Sequence, residues 1–148
     1  MEQIIVIGAG AAGLTAAIFA ARNGAKVTVL EHTDKAGKKI LSTGNGKCNY
    51  TNALQGIAYY RGDHPAFVLP VFEQFGLEDT LKFFEEIGVY PKCKNGYYYP
   101  ASEQAATVLD ILRFACERAG VEIKTEAEVR KIAKKDGGFL IDSKIEKS

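Results

Sequence analysis

Three glycines and one acid are the residues of this chain whose types and spacing most directly suggest chemistry. Gly8, Gly10 and Gly13 form a G-x-G-x-x-G pattern, and Glu31 follows after two further apolar stretches. In such a pattern the first glycine permits a tight turn, the second lets a pyrophosphate approach the backbone, and the third lets a helix pack closely on a strand. A carboxylate at Glu31 can then accept the hydroxyls of an adenosine ribose. With 15 glycines in 148 residues the spacing alone is a weak signal, so the elements that position it decide its meaning.

Those elements are written into the sequence. Gln3 to Ile7 is short and rich in Ile and Val, which predicts a parallel strand buried on both faces. Leu14, Ala17, Ile18 and Ala21 recur at helical spacing, and Gly24 stands where a helix-ending glycine belongs. The N-terminal turn of that helix, at Ala11 and Ala12, presents unpaired N–H groups and a positive dipole end to any anion the glycines admit. Val27 to Leu30 reads as a second parallel strand, closed by Glu31 and followed by His32. The unit is a βαβ nucleotide cradle, and the fold class it predicts is α/β, a Rossmann-like domain.

Composition narrows the rest. Apolar content of 47%, charge of 25% and a net charge of +1 describe an ordinary globular protein, with no electrostatic case for nucleic acid or an anionic membrane. No apolar run approaches the roughly 20 residues of a membrane span, and no basic leader precedes the first strand, so the cytoplasm is the expected location. Cys48, Cys93 and Cys116 are too widely spaced for a zinc site or a C-x-x-C pair and are expected to be reduced and mostly buried. His32 and His64 lack metal-ligand company and are expected at the surface or in hydrogen bonds, so no metal is expected. Neither repeats nor an interdomain linker appear, and residues 1–148 are expected to form part of a single domain.

After the cradle, His32 to Asn52 is polar and broken by Gly37, Gly44 and Gly46. Lys35, Lys38, Lys39 and Lys47 give it positive charge, while Ser42, Thr43, Asn45, Asn49 and Thr51 supply hydrogen-bonding groups. A loop of this length within a domain is usually functional. Ala66 to Phe75 and Glu78 to Ile87 predict two helices, the first bent at Pro70, with Phe67, Phe72, Phe75, Phe83 and Phe84 in the core. Asn95-Gly96 predicts a hairpin with Tyr97 to Tyr99 alternating across its second strand. Ser102 is the expected N-cap of a helix running to Ala119. Val121 to Thr125 predicts a third strand, Asp136-Gly137-Gly138 a second hairpin, and the KIEKS end a frayed terminus.

The cradle together with Gly37-Lys38-Lys39, Ser42-Thr43-Gly44-Asn45-Gly46-Lys47-Cys48-Asn49 and Thr51-Asn52 resembles the N-terminus of a bacterial FAD-dependent oxidoreductase family. That family includes aminoacetone oxidases and bile-acid reductases of the BaiN type. Tyr99-Pro100-Ala101-Ser102, Ala105 and Val108 resemble a second stretch of the same family, so the resemblance covers most of the chain. It departs at Asn45, where the family favours Gly, and at Lys47, where it favours Arg; lysine keeps the charge without the planar fork.

The resemblance implies that Gly8, Gly10 and Gly13 hold the FAD pyrophosphate and Glu31 the adenosine ribose. It further implies that Lys39, Ser42, Gly44 and Asn49 run toward the ribityl chain and flavin ring, and that Val129 offers its backbone to adenine. Ala11, Ala12, His32, Lys38, Thr43, Gly46, Lys47 and Cys48 complete the cofactor-binding set expected from motif positions. FAD is the expected cofactor, NAD(P)H an expected co-substrate and a small molecule the substrate, while no catalytic acid or base is identified. Proteins of this family continue further, so the chain is expected to be the N-terminal portion of a longer FAD domain. Two alternatives stay open, a noncatalytic nucleotide-binding remnant and an NAD-binding Rossmann module, because the cradle by itself does not separate NAD from FAD.

Overall fold

Gln3–Ile7 forms strand β1 of the computed structural model, which describes residues 1–145. Along the chain there follow α1 (Ala11–Arg22), β2 (Lys26–Leu30), β3 (Thr51–Asn52), α2 (Leu69–Gln74), α3 (Leu77–Ile87), β4 (Pro91–Lys94), β5 (Tyr97–Pro100), α4 (Ala105–Arg118), β6 (Glu122–Lys124), β7 (Ala127–Lys135) and β8 (Gly138–Ile145). The elements group into two units, one built from Met1–Ile40 and the segment from Leu112 onward, the other from Leu41–Ile111.

In the first unit β1, β2 and β6 form a parallel sheet in that order, with Gln3 opposite Lys26 and Thr28 opposite Glu122. Leu14, Ala17 and Ile18 of α1 are buried with Val27, Val29 and Leu30 of β2 and with Leu112 and Cys116 of α4. The α1 helix ends as its sequence predicts. Gly24 takes φ +87°, its N–H donates to Ala21 O, and Ala25 N–H reaches back to Ala20 O, which satisfies the last carbonyls. The third strand and the β7–β8 hairpin also form as expected, with an irregularity between Val129 and Lys131. Of the terminal KIEKS, Lys144 and Ile145 belong to β8, and Glu146 to Ser148 lie outside the described residues.

One expectation fails in β1, whose Ile5 and Ile7 are 46% and 49% exposed. Among the described residues β1 pairs only with β2, so it is an edge strand with one covered face. Burial of the second face depends on what packs there, which strand composition does not encode.

In the second unit β5 lies between β3 and β4 in an antiparallel sheet. The β4–β5 turn is closed by Asn95 at φ +53° and Gly96 at φ +84°, the paired left-handed residues a two-residue hairpin needs. The expected helix at Ala66 to Phe75 splits into a tight turn, Pro65–Val68, and α2, with Pro70 in the first turn of α2 instead of bending a longer helix. Phe67 is 79% exposed, against its expected place in the core, whereas Phe83 and Phe84 are buried. Gly76 N–H donates to the Asp79 carboxylate at 3.0 Å and opens α3, and Gly88 at φ +113° closes it. Ser102 is not the N-cap of α4, which begins at Ala105; its Oγ instead accepts from Gln104 N–H at 3.3 Å within the preceding turn. All three cysteines are free thiols; Cys48 and Cys116 are buried, but Cys93 is exposed because β4 is an edge strand. No described helix is long and apolar enough to cross a membrane.

Tyr50 packs its ring on Phe84, centroids 4.6 Å apart, while its buried hydroxyl finds no hydrogen-bond partner among the described residues. Burial, followed by the neighbouring Glu85, Tyr98 and Cys48, pushes that phenol up to about 12. Tyr50→Phe removes an unpaired polar group and keeps the stacked ring. Stability in urea unfolding should be unchanged or higher by up to ~1 kcal/mol, whereas a clear loss would show that the hydroxyl is bonded.

Candidate nucleotide site

The geometry of the cradle starts from the closeness of α1 to β1. A Cβ added at Gly13 would lie 1.9 Å from the Gly8 carbonyl oxygen and 3.3 Å from Val6 Cγ1, so no side chain fits there. Gly8 at φ +93° makes the turn, and its N–H donates to Leu30 O at 2.7 Å, fixing the turn to the end of β2. Gly10, the N-cap of α1, is different. A Cβ built on it meets nothing within 4 Å, so open space lies over the turn. Gly10 offers no side-chain cap and the first turn of α1 carries no acid. The amides of Ala11, Ala12 and Gly13 therefore keep the capacity to receive an external anion.

Glu31 stands at the end of β2 with 7% exposure, the buried acid of this site. Its Oε2 accepts the Ala9 N–H at 2.8 Å, tying it to the glycine turn 22 residues away. Its Oε1 accepts the Thr33 N–H at 2.9 Å and the Thr33 hydroxyl at 2.8 Å, with His32 Nδ1 at 3.0 Å. Burial pushes this carboxyl up, but the donors from Thr33 and Ala9 and the adjacent His32 together bring it below its ordinary value. A carboxylate oxygen has two acceptor positions, and among the described residues Oε2 receives the Ala9 N–H alone. Glu31 thus braces the turn and keeps an acceptor position that suits a ribose hydroxyl. Ala9 and Thr33 were not legible as site residues, since Ala9 acts through its backbone N–H and the Thr33 N–H and hydroxyl take part only because the Glu31 carboxylate turns toward them.

Of the other expected residues in this unit, Lys38 is exposed and paired with Asp34 at 3.2 Å, and Lys39 is exposed. His32 is 75% exposed at its side chain. Val129 lies in β7 opposite Ser143, half-buried and beside the strand irregularity.

In the second unit the expected loop residues gather in and after the tight turns Ile40–Gly46. Thr43 is extended, and then Gly44, Asn45, Gly46 and Cys48 take φ of +54°, +55°, +79° and +58°. Asparagine is among the few side chains that tolerate this region, which explains how Asn45 stands where the resembled family has glycine. A Cβ at Gly44 would meet Asn49 N at 2.5 Å, so the loop folds tightly on itself. Lys47 N–H donates to Gly44 O and Cys48 N–H to Thr43 O, both at 3.1 Å. Burial raises the Cys48 thiol, offset in part by a hydrogen bond with the Thr43 side chain. Asn49 Nδ2 donates to Thr51 O and Tyr98 O, both at 3.0 Å, so its amide anchors the loop to β5. Ser42 and Gly46 are exposed, and Lys47 is paired with Glu103 at 3.3 Å.

Two measurements separate the roles inside the cradle. Gly13→Ala should cost about 3 kcal/mol or more of stability, because helix and strand must part. Gly10→Ala should change stability by under ~0.5 kcal/mol yet weaken ADP binding at least about tenfold, as its methyl fills the open space. Equal effects of the two on stability would refute this division. The Glu31 carboxyl has a folded pKa below its ordinary 4.5, so its charge stabilises the fold above that value. The contribution disappears as pH falls through the folded pKa. Glu31→Gln should cost about 1–3 kcal/mol near neutrality and flatten the acid limb of stability between roughly pH 5 and 3, read by urea unfolding at each pH.

Comparison with known proteins agrees with this geometry. The model of the HI0933-like protein Rossmann domain matches residues 2–148. A 3-dehydro-bile acid delta(4,6)-reductase of Clostridium scindens is 44% identical over 143 residues, covering 95% of this chain and 35% of that protein. A ribosomal RNA dihydrouridine synthase of Escherichia coli is 30% identical over 138 residues, covering 93% of this chain and 34% of that protein. The chain thus spans about a third of the length of the curated relatives it matches. Among solved structures, a 3-ketosteroid-delta4-(5alpha)-dehydrogenase from Rhodococcus jostii shares the fold with a TM-score of 0.65 at 16% identity, over 95% of this chain and 44% of that one. The βαβ cradle, the parallel sheet and the match along nearly the whole chain lead to one conclusion: the chain belongs to the HI0933-like protein family and corresponds to its Rossmann domain.

Proposed function

We propose that the chain is the FAD-binding part of a flavin-dependent oxidoreductase. The glycine turn, open at Gly10 and braced by Glu31 through the Ala9 N–H at 2.8 Å, carries the nucleotide part of this reading. The resemblance of the Gly37 to Asn52 loop to the flavoenzyme family supports FAD over NAD. The residues present fit an ADP moiety. The first-turn amides of α1 would hold the pyrophosphate, and the remaining acceptor position of Glu31 would hold a ribose hydroxyl. By family resemblance Lys39, Ser42, Gly44 and Asn49 would serve the ribityl chain and ring, although the Asn49 amide donors are committed to Thr51 and Tyr98. When bound, FAD supplies hydride chemistry, and the protein supplies orientation and electrostatics.

For the longer protein we propose reduction of a carbon–carbon double bond conjugated to a carbonyl in a small molecule, with NAD(P)H as the reductant. The names of the two relatives describe that change on different carriers. A 3-dehydro-bile acid with delta(4,6) unsaturation has its double bonds conjugated to a ketone, and dihydrouridine differs from uridine by saturation of the bond beside C4=O. Identity is higher to the bile-acid enzyme, and a net charge of +1 gives little electrostatic pull toward RNA.

Titration of the purified chain with FAD, followed by the visible spectrum and flavin fluorescence, tests the first statement, with ADP as control. Shifted flavin bands and quenched emission are expected, with FAD binding at least as tight as ADP. A chain that binds ADP but leaves FAD spectroscopically free would overturn the flavin reading in favour of a noncatalytic nucleotide module. In the longer protein, NADPH-dependent bleaching reversed by a conjugated enone but not by uridine-containing RNA would support the small-molecule assignment. The opposite preference would replace it.

A further inference from the structure

We propose that Glu103 is a positioning residue that fixes the glycine-rich loop of the second unit through Lys47, and thereby sets how tightly that loop receives a flavin. The second clause rests on the FAD reading above; the first does not. The starting observation is the Tyr99-Pro100-Ala101-Ser102 stretch, which has no part in the cradle. Its backbone forms a pinned turn. Ala101 N–H donates to Tyr90 O and Glu103 N–H to Pro100 O, both at 2.8 Å. Ser102 Oγ accepts from Gln104 N–H at 3.3 Å and contacts Thr107 Oγ1 at 2.8 Å.

At the end of this turn Glu103 is held at φ +53°, a left-handed conformation that a glutamate adopts only at a cost. That conformation accompanies a carboxylate shared between two cations. Oε1 is 3.3 Å from Lys47 Nζ and Oε2 is 2.7 Å from Lys92 Nζ. Lys47 is the residue of the loop that interrupts its left-handed run, between Gly46 and Cys48. Asn49 secures the loop a second time, through Tyr98 O. A backbone so rich in left-handed residues keeps one arrangement only if its surroundings over-determine it. The bond from the Asn49 amide to Tyr98 O and the Glu103 carboxylate are two such restraints, and each ties the loop to β5 or to the turn that follows it. Lys92 on β4 completes the strut by holding the second carboxylate oxygen.

An exposed ion pair changes an equilibrium by only about two- to fivefold, so this contact is of small consequence to global stability. Its effect should appear in loop order and in ligand binding. Amide hydrogen exchange of residues 44–49 in the nucleotide-free chain should be about two- to fivefold faster in Glu103→Gln than in the parent. Unchanged exchange overturns the strut, whatever the cofactor. FAD affinity should fall by about two- to fivefold in Glu103→Gln while ADP affinity and melting temperature stay constant. Lys47→Met should weaken FAD at least as much, and the double variant no more than Lys47→Met alone, whereas Lys92→Met should retain most of the affinity. The loss in Glu103→Gln should shrink at high salt. Additive losses at Glu103 and Lys47, or equal losses for ADP and FAD, overturn the action through Lys47. Faster exchange in a chain that binds no FAD would keep the strut and overturn the flavin clause together with the FAD reading.

Discussion

The first unit depends on a contact that leaves no room for a methyl group. Because a side chain at Gly13 would collide with the Gly8 carbonyl at 1.9 Å, α1 can approach β1 only with glycine there. The helix N-terminus is thereby brought to the turn, and its first amides line the open space above Gly10. Glu31 completes the arrangement from the next strand. By accepting Ala9 N–H it couples the end of β2 to the same turn, so a single buried carboxylate serves as brace and acceptor. At Gly13 and Glu31 the candidate site is therefore inseparable from the fold, whereas Gly10, with open space over it, can change alone.

The second unit solves a different problem, since its loop has few apolar side chains with which to hold itself. Among these loop residues Cys48 is buried, while Ser42, Gly44, Asn45, Gly46 and Lys47 are exposed. Order comes from hydrogen bonds and from an unusual concentration of left-handed backbone. Asn45 illustrates the chemistry this requires. A short polar side chain is tolerated at φ +55°, whereas a β-branched residue there would be strained.

What could be read from the sequence was what is local. The glycine spacing, the apolar strands, the Schellman end at Gly24 and the Asn95-Gly96 hairpin all follow from residues within a few positions of one another. Interactions between distant residues were not legible. Nothing near Glu31 signals that its carboxylate turns toward Ala9, and nothing near Lys47 signals a partner 56 positions away at Glu103. Exposure also escaped prediction where it depended on neighbours. Ile5 and Ile7 look like core residues by type, and Phe67 does as well, but each lies on a surface that no described element covers fully. Pro70 reads from sequence as a bend within a helix and Ser102 as an N-cap, whereas the first lies in the opening turn of α2 and the second organises the turn before α4. Proline is equally suited to start a helix or bend one, and a serine hydroxyl can organise a turn as well as a cap.

The three thiols of this chain are chemically unequal. Burial pushes Cys116 up to about 11 and its Sγ lies against Leu14 O at 3.6 Å, while Cys48 is buried and raised as well. Cys93 alone among the three is exposed, on β4 within the same unit as the glycine-rich loop. Reactivity of a thiol follows accessibility and thiolate fraction, so the chain carries a natural single attachment point. A maleimide dye or spin label would go to Cys93 without any cysteine having to be removed, and would report on the hairpin whose strands and following turn restrain the loop.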